Sequence, residues 1–403
     1  MRYVIEEIKP GAYVLSFRDT DVKFFEASRE IGHEGILYNA YLIVTDDGAI
    51  LIDGRKREYE KEFLEALDKI LKGKPIKAYI VNHSEPDHSG TLPAVVKRYN
   101  PKIYGNAFAM RLLKAFYGKE VSIDFQPVKD EEEIEILGKR VKFFHTTLLH
   151  RPDTILTLID GILFTGDILG SYYAFQHPIY SERKEPDPDT GELRDIKEIF
   201  MEEAAEYFST VIGSFRRHGS KFLSKVKKSE YDVLAPAHGL VRTKDLDYPI
   251  EIYRKLIEGE PLVDGVLLLY SSMYGITMPA VEAAKKAIED KGYEPLVFGF
   301  TDKEASRIPD ILGNTYLAKK IVIVSSAYEG ELHPRMRLSL ELMAKKAPER
   351  EMLIFMPFGR GAAFPRDVQE KLEKRGFKLT IERLSVSALD AQKIYSKTLE
   401  FLE

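Results

Sequence analysis

In the first part of the chain, apolar residues come in short runs that polar or charged residues separate. The runs are rich in β-branched and aromatic residues and are bounded by Gly, Asp or Pro, as is typical of strands; they include YNAYLIVT, KAYIVN, VKFFHTT, TILTLID and GILFTGD. Between some of them, apolar residues recur at helical spacing, as in EYEKEFLEALDKILK, and the stretch 197–227 is predicted to be helical and amphipathic. The pattern predicts a mixed α/β domain, which we assign to residues 1–257.

The rhythm changes after LIEGEPLVDG, residues 256–265, which we predict to be a linker. Beyond it, strand-like runs alternate regularly with helical segments, beginning with the strand GVLLLYSS and the helix PAVEAAKKAIEDKG. The later strand-like runs are EPLVFGF, IVIVSSA, EMLIFMPF and FKLTIERLSV. Five strands in such alternation predict a doubly wound parallel sheet. The chain is therefore predicted to be an α/β protein with a second domain at residues 258–403.

Composition narrows the classes of function. The chain has 403 residues, with 59 Lys and Arg against 64 Asp and Glu, a net charge of −5. It has no long basic cluster, so we expect no nucleic-acid partner. It has no apolar run near the roughly 20 residues of a membrane span, and acids interrupt its N-terminal segment where a signal peptide is apolar. We therefore expect a cytoplasmic protein without a membrane partner.

The chain contains no cysteine. Disulfides, thiolate-bound zinc, iron–sulfur clusters and a fused rubredoxin-type iron site all need that residue. Any metal bound by this chain must therefore be held by nitrogen and oxygen atoms.

The segment HSEPDHSG, residues 83–90, follows the strand-like run KAYIVN. It places four residues of metal-ligand type, His83, Glu85, Asp87 and His88, within six positions. A charged loop is usually only solvated, but residues just past a buried strand lie where active sites of open α/β folds gather. Four ligand types in so short a loop therefore favour a metal site.

Three distant residues are candidates to complete that site. His150 in LLHRPDTI, Asp167 in GILFTGDILG and His238 in YDVLAPAHGLV each follow an apolar segment, although an Asp such as Asp167 is often only a turn residue. With the loop 83–90 they supply four imidazoles and three carboxylates. That set is sufficient for two metals, each with three terminal ligands, and one bridging carboxylate.

The pattern HSEPDHSG, LLHRPDT, FTGD and PAHGLV resembles that of the flavodiiron proteins, and the resemblance covers the whole chain. It implies a metallo-β-lactamase-like αββα sandwich followed by a flavodoxin-like, doubly wound, five-stranded parallel sheet. Zinc hydrolases of the first fold have His-x-His-x-Asp-His, whereas this chain has Glu85 at the second position. A carboxylate there favours non-haem iron over zinc.

The resemblance implies a role for each candidate ligand and for none of the remaining histidines. His83, Glu85 and His150 would hold one iron; Asp87, His88 and His238 would hold the other; Asp167 would bridge them. We expect His145 to be a packed strand residue and His218 a surface residue, and we leave open whether His33 and His177 lie beside the metals. No catalytic residue is predicted beyond the ligands.

Three loops of the second domain resemble FMN-binding loops. SSMYGIT, 271–277, joins a strand to a helix and presents N–H groups and hydroxyls to a phosphate, although Ser/Gly loops precede many helices. SSAYEGELHP, 325–334, and PFGRGAAF, 357–364, follow later strands. The predicted FMN-binding residues are Ser271, Ser272, Met273, Tyr274, Gly275, Ile276, Thr277, Ser326, Ala327, Tyr328, Phe358, Gly359 and Arg360.

The resemblance implies reduction of O2 to water, of NO to N2O, or of both, with FMN passing electrons from a rubredoxin-type carrier. It also implies a head-to-tail homodimer, alone or as a dimer of dimers, in which each flavin faces the partner's irons. The family often has Trp where this chain has Arg151, Arg242 and Arg360, so the lining of the sites is open. The alternatives are a zinc hydrolase with an appended flavodoxin-like domain and a flavin electron carrier with a vestigial metal domain.

Overall fold

The computed structural model describes residues 3–25, 29–32, 34–146, 148–187, 190–225, 227–358, 364–385 and 390–403. The chain divides into two compact units. The first comprises Met1–Phe25, Ile31–Ala204 and Phe215–Arg254, and the second Glu26–Glu30, Ala205–Ser214 and Lys255–Glu403. The division after Arg254 falls inside the helix Asp247–Glu258, whereas the sequence placed the domain boundary after residue 257.

The larger sheet of the first unit has seven strands. Antiparallel pairing joins the first four strands, and parallel pairing joins the last three to them. In spatial order the strands are Tyr3–Lys9, Ala12–Asp19, Ile36–Thr45, Gly48–Ile52, Ile76–Ile80, Lys102–Gly105 and Phe125–Pro127.

The second sheet of this unit has five strands, and only its last pair is parallel. Buried residues of the two sheets, such as Ile50 and Ile80 from the larger sheet and Phe143 and Phe164 from the smaller, form one apolar core. Alternate residues of each strand reach this core because side chains of a strand alternate between faces. The strands are Glu133–Ile136, Lys139–His145, Ile155–Ile159, Ile162–Gly166 and Val233–Pro236.

Helices cover the outer face of the larger sheet. Phe63 and Leu67 from one helix, Val95 from the next and Leu113 from a third pack with residues such as Tyr79 on that face. These helices are Glu60–Leu71, Leu92–Tyr99 and Ala107–Tyr117; the other helices that begin in this unit are Pro86–Ser89, Ile196–Tyr207, Gly219–Lys225 and Asp247–Glu258. Short elements are the strands Phe24–Phe25, Arg29–Glu30, Lys184–Pro186 and Leu193–Asp195, and the 3₁₀ turns Arg57–Tyr59 and Lys228–Glu230.

The stretch 197–227, predicted to be helical and amphipathic, is helical over Ile196–Lys225, but it is divided into four pieces rather than being one regular α-helix. The segment is a helix at Ile196–Tyr207, a π-helical turn at Phe208–Ile212, a 3₁₀ turn at Gly213–His218 and a second helix at Gly219–Lys225. The hydroxyls of Ser209 and Thr210 both donate to the carbonyl of Glu206, and such side-chain bonds compete with regular helical pairing. All five residues of the π-helical turn are buried, so packing overrides the amphipathic pattern.

The second unit contains a five-stranded, wholly parallel sheet. Numbered along the chain within this sheet, the strands lie in the order 2-1-3-4-5, which is the flavodoxin-like order. In spatial order they are Glu294–Thr301, Gly265–Ser272, Lys320–Ser325, Glu351–Phe358 and Lys378–Ser385. The predicted fold class is thereby confirmed.

Helices cover both faces of this sheet. On one face Ile311, Met336 and Val368 pack against strand residues, and on the other Ala284 and Ile394 do so. The helices are Met278–Asp290, Ile308–Leu317, Pro334–Lys346, Arg366–Lys374 and Ala391–Leu402, with short strands at Ala327–Tyr328 and Glu331–Leu332. The predicted linker 256–265 is shorter than expected, since residues up to Glu258 are helical and a strand begins at Gly265.

In the part of the chain that the structure describes, no helix is both long and apolar enough to cross a bilayer.

Candidate metal centre

The seven predicted ligands lie in the segments that follow strands of both sheets in the first unit. His83 and Glu85 follow the strand Ile76–Ile80 of the larger sheet, and Asp87 and His88 lie in the short helix Pro86–Ser89. The smaller sheet supplies the remaining three, His150, Asp167 and His238. The structure brings all seven together.

Asp167 and His238 are neighbours because of the sheet topology. Asp167 directly follows the strand Ile162–Gly166, and His238 follows the strand Val233–Pro236. These two strands are parallel and hydrogen-bonded to each other, so their carboxyl ends meet at one edge.

The first group of ligand atoms comes from His83, Glu85 and His150. The Oε2 atom of Glu85 lies 3.1 Å from Nε2 of His83 and 3.2 Å from Nε2 of His150. Both histidines are about 2 % exposed or less. His150 adopts a positive φ of 81°, which is uncommon for a residue with a side chain and turns the chain sharply at the ligand.

The second group comes from Asp87, His88 and His238. The Oδ2 atom of Asp87 lies 3.2 Å from Nε2 of His88 and 3.6 Å from Nε2 of His238. The rings of His88 and His238 are 4.9 Å apart, edge to face.

Asp167 faces both groups, one with each carboxylate oxygen. Its Oδ2 lies 3.4 Å from Nε2 of His150 and 3.9 Å from Nε2 of His83. Its Oδ1 lies 3.0 Å from Nε2 of His88 and 3.4 Å from Nε2 of His238. A carboxylate so placed can serve two cations at once.

The charges of the cluster are strongly coupled. Burial lowers the pKa of His83, but the carboxylates of Asp153 and Glu85 raise it well above its ordinary value. Burial raises the pKa of Asp167, but His88 and His238 hold it well below the ordinary value. The carboxylates are therefore ionised and require cations, which are protons on the imidazoles or metal ions that displace those protons.

The donor atoms suit metal ions. The buried Nε2 atoms of His83 and His88 point at carboxylate oxygens, yet among the described residues they make no hydrogen bond of proper geometry. Imidazole nitrogens and carboxylate oxygens, without thiolates, are the ligands of non-haem iron sites. Two irons therefore fit the residues that are present.

In two of the ligand imidazoles, the ring nitrogen that faces away from the cluster contacts another residue. Nδ1 of His238 lies 2.9 Å from the carbonyl oxygen of Leu37, to which it donates, so Nε2 is left to face the cluster. Nδ1 of His83 lies 3.2 Å from Oδ2 of Asp153, which also accepts hydrogen bonds from the backbone N–H and hydroxyl of Ser84. Such contacts fix the tautomer and orientation of a ligand imidazole.

A third supporting residue is Asn82, which precedes the loop of ligands. Its N–H donates to Oδ1 of Asp53 over 2.9 Å, its side-chain oxygen accepts from the hydroxyl of Thr157 over 2.6 Å, and its carbonyl accepts from the N–H of Ile155. Asn82 thus joins the end of a strand in the larger sheet to a strand of the smaller one.

Sequence reasoning missed Asp153, Asp53 and Asn82. A signal was present for the first two, because Asp153 follows His150 within the same short loop and Asp53 ends the strand-like run AILID. An Asp after a strand is common in turns, however, and only the folded structure distinguishes the cases.

The remaining histidines lie elsewhere. His177 is 66 % exposed, and its Nδ1 lies 3.7 Å from Oε1 of Glu6. His145 ends a strand half-buried, and His218 is exposed. His333 of the second unit stacks on Phe300 at 5.9 Å. His33 lies outside the described residues.

Arg151 and Arg242 have distinct surroundings. The Nη2 atom of Arg151 lies 2.5 Å from Oε1 of Glu85. Arg242 is 1 % exposed, and its guanidinium carbon lies 4.1 Å from the ring centre of Tyr180 and 4.7 Å from that of Phe200. Burial lowers the pKa of Arg242 to about 10.

Two of the predicted FMN loops meet at one end of the parallel sheet in the second unit. The hydroxyl of Ser271 accepts from the N–H of Ser326 over 2.9 Å, and the hydroxyl of Thr277 donates to the carbonyl of Ser271. Met273, Gly275, Ile276 and Ala327 belong to the same two loops. Phe358 ends the strand Glu351–Phe358, whereas Gly359 and Arg360 lie outside the described residues.

These loops suit a flavin phosphate and ring. The hydroxyl of Ser272 is buried and makes no hydrogen bond to the described residues, and the helix Met278–Asp290 begins without a side-chain cap. Tyr274 is 84 % exposed and Tyr328 42 %, which is unusual for aromatic rings and suits stacking on a planar ligand. FMN therefore fits the described residues.

Comparison with known proteins gives the same picture. A family model described as "ODP family beta lactamase" matches residues 36–239, just over half of the chain. The chain is 25% identical over 381 residues to a nitric oxide reductase of Moorella thermoacetica, covering 93% of this chain and 91% of the relative. It is 27% identical over 395 residues to a coenzyme F420H(2) oxidase of Methanothermobacter marburgensis, covering 95% and 93%.

A solved structure extends the likeness to both units. A variant of the flavo di-iron protein from Thermotoga maritima is 34% identical, covers 100% of this chain and 99% of its own, and superposes with a TM-score of 0.89. Together with the family model, this match shows that the chain belongs to the flavodiiron protein family, as the pattern of its ligands predicted.

Proposed function

We propose that the protein is a flavodiiron oxidoreductase that reduces O2 to water, NO to N2O, or both. The observation that carries the proposal is the placement of Asp167, whose two oxygens face two separate groups of histidine and carboxylate ligands. The names of the relatives, a nitric oxide reductase and an F420H(2) oxidase, support the same class of reaction.

The proposed iron ligands follow the two groups. One iron takes His83, Glu85 and His150, the other takes Asp87, His88 and His238, and both share Asp167. The proposed di-iron domain comprises residues 1–257. When bound, the irons supply reducing electrons to a diatomic oxidant. Glu85 supports iron over zinc, because a carboxylate in place of an imidazole makes the site more anionic.

The surrounding residues orient the ligands and exclude water. Asp153 holds Nδ1 of His83, and the carbonyl of Leu37 holds Nδ1 of His238. Around His238 the ring of Tyr38 lies at 5.1 Å and that of Phe25 at 5.8 Å, both nearly perpendicular to the imidazole. These aromatic rings are buried and shield that side of the cluster from water.

The proposed flavin domain is 258–403. The hydroxyls and N–H groups of 271–277 bind the phosphate of FMN, and the aromatic rings at the ends of later strands pack around its ring system. The proposed contacts are Ser271, Ser272, Met273, Tyr274, Gly275, Ile276, Thr277, Ser326, Ala327, Tyr328, Phe358, Gly359 and Arg360.

We further propose that electrons come from a separate rubredoxin-type carrier and that the active form is a head-to-tail homodimer. The absence of cysteine supports an external donor, since the chain cannot form a rubredoxin site of its own. The dimer is testable with mixed subunits. A dimer of one subunit altered in loop 271–277 and one altered at His83 and Asp167 retains partial turnover if each flavin serves the partner's irons, and none otherwise.

The proposed function is tested by replacing the shared carboxylate. Asp167→Ala should remove or scatter both irons and abolish O2 and NO turnover while FMN stays bound, as metal analysis and flavin absorbance would report. His145→Ala is the matched control, because it changes a histidine outside the cluster and should leave the iron content unchanged. Two zinc ions in a colourless wild-type protein would instead indicate a hydrolase, and an Asp167→Ala protein with full iron would remove the shared role.

A further inference from the structure

The carboxylate of Glu85 is divided between two kinds of partner. Its Oε2 atom faces the cluster, 3.1 Å from Nε2 of His83 and 3.2 Å from Nε2 of His150. Its Oε1 atom points the other way and lies 2.5 Å from Nη2 of Arg151. A carboxylate in this arrangement has one oxygen available to a metal ion, while the other is paired with the guanidinium.

Resting on the function proposed above, we propose that Arg151 is a positioning residue that restricts Glu85 to a single metal-binding oxygen. With Oε1 engaged, Glu85 cannot turn both oxygens toward the same iron. One coordination position of that iron then stays available for a diatomic substrate or another small ligand.

The local backbone supports this role. The carbonyl of Arg151 accepts a hydrogen bond from the N–H of Leu148 over 3.0 Å, which closes a tight turn around His150. His150 and Leu148 both have positive φ values, 81° and 68°. The ligand His150 and the guanidinium of Arg151 are therefore presented by one fixed turn, so the arginine keeps its place relative to the metal ligands.

The positive charge of Arg151 also affects the reduction potential of the proposed irons. Three carboxylates, Glu85, Asp87 and Asp167, converge on the cluster, and Arg151 is a permanent cation in contact with one of them. The side chain is 43 % exposed, so it lies on the solvent side of Glu85. Removing this positive charge stabilises the oxidised irons and lowers their reduction potential.

Azide binding to the oxidised, iron- and FMN-loaded protein tests the proposal, because azide fills an open position on ferric iron and changes its absorbance. Arg151→Gln removes the charge and the strong pairing but keeps a polar side chain. We expect its azide Kd to rise about tenfold or more, because Glu85, released from its charge-assisted hydrogen bond, then competes with azide for the open position. The iron potential should fall, while iron content remains at the wild-type level.

Arg151→Lys should restore part of the affinity, since lysine keeps the charge but lacks the planar fork of arginine. Arg140→Gln is the matched control: Nε of Arg140 lies 3.1 Å from Oε1 of Glu133, and the side chain is 81 % exposed and outside the cluster. Its azide affinity and potential should match the wild type.

Three outcomes separate the hypotheses. An Arg151→Gln protein with full iron, unchanged azide Kd and unchanged potential would overturn the role of Arg151 and leave the proposed function intact. An Arg151→Gln protein that loses iron would also overturn it, because the arginine would then retain the metal rather than keep a position open. A wild-type protein that takes up no iron would refute the proposed function itself.

Discussion

Asp153 offers the sharpest test of how the metal ligands are held. It is fully buried, and its Oδ2 atom lies 3.2 Å from Nδ1 of His83 and accepts from the N–H of Ser84 over 2.8 Å and from the hydroxyl over 2.7 Å. Asp153→Ala removes all three contacts at once. We expect it to weaken both the fold of the first unit and the affinity for iron.

The magnitude follows from those contacts. A buried donor left without an acceptor costs about 1–3 kcal/mol, so the two Ser84 donors alone predict a loss of about 2–6 kcal/mol in the free energy of unfolding. Burial raises the pKa of Asp153, but His83 and Ser84 lower it to about 2 from an ordinary 3.8, which corresponds to about 2 kcal/mol at 1.4 kcal/mol per pKa unit. This contribution is present above about pH 4 and is lost as the pH falls toward 2.

The effect on iron is expected to be larger than the effect on stability suggests. Loss of a partner that orients a ligand imidazole costs about 10–100-fold in metal affinity. Competition against a chelator of known Fe(II) affinity measures this loss, and urea unfolding of the metal-free protein measures the stability. Asp153→Asn should lie between alanine and the wild type, because the amide oxygen accepts from Ser84 but carries no charge to hold His83.

Ser84→Ala is the control for Asp153. It removes the hydroxyl contact and keeps both the N–H contact and His83, so it should cost about 1 kcal/mol and leave iron affinity unchanged. If Asp153→Ala bound iron as tightly as Ser84→Ala, orientation of His83 by Asp153 would play no part in metal binding, and the reasoning would fail.

Three further predictions concern other parts of the molecule. Burial raises the pKa of Asp53 to about 6, so the stability that protonated Asp53 contributes is full below about pH 4 and is lost, by about 3 kcal/mol, as the pH rises through 6. In metal-free Asp53→Asn, the free energies of urea unfolding at pH 4.5 and 7.5 should therefore differ less than in the wild type. An equal difference in the two proteins would contradict this. Arg242→Ala should cost about 3 kcal/mol, because it leaves a cavity between aromatic rings, whereas Arg242→Met should retain most of the stability; equal urea midpoints for the wild type and the alanine variant would exclude the packing role. Purified protein should oxidise NADH slowly until a rubredoxin-type carrier and a nicotinamide-dependent reductase that feeds it are both added, since the chain lacks a complete G-x-G-x-x-G site; rapid oxidation by the protein alone would remove that requirement.

The sequence predicted the fold class because strand-like and helical periods are local properties. It predicted the seven candidate ligands because those residues sit at the ends of apolar runs, where strands of a sheet converge. Glu85 and Asp167 were recognisable for the same reason. No comparable rule exists for Asp153, whose importance depends on its distance to a ring 70 positions earlier in the chain.

Other features that the sequence did not predict have physical causes of their own. The segment 197–227 has helical periodicity, but Ser209 and Thr210 bond back to the helix carbonyls and the turn is buried. Arg151 was visible only as a departure from a familiar pattern; that its guanidinium reaches Glu85 depends on the tight turn at His150. Periodicity cannot report either effect, because both arise from side chains meeting after the chain has folded.

The two sheets of the first unit each contribute ligands to a single cluster, and Asn82 ties the same two sheets together beside it. Metal ions in that cluster would cross-link the two sheets, which otherwise contact each other through their shared apolar core. Because a ligand that binds only the folded state adds stability in proportion to the logarithm of its free concentration, the unfolding temperature of this domain would rise with the free iron concentration of the solution. A chelator would then behave as a denaturant, and preparations of one sequence that differ in growth medium would differ in heat resistance.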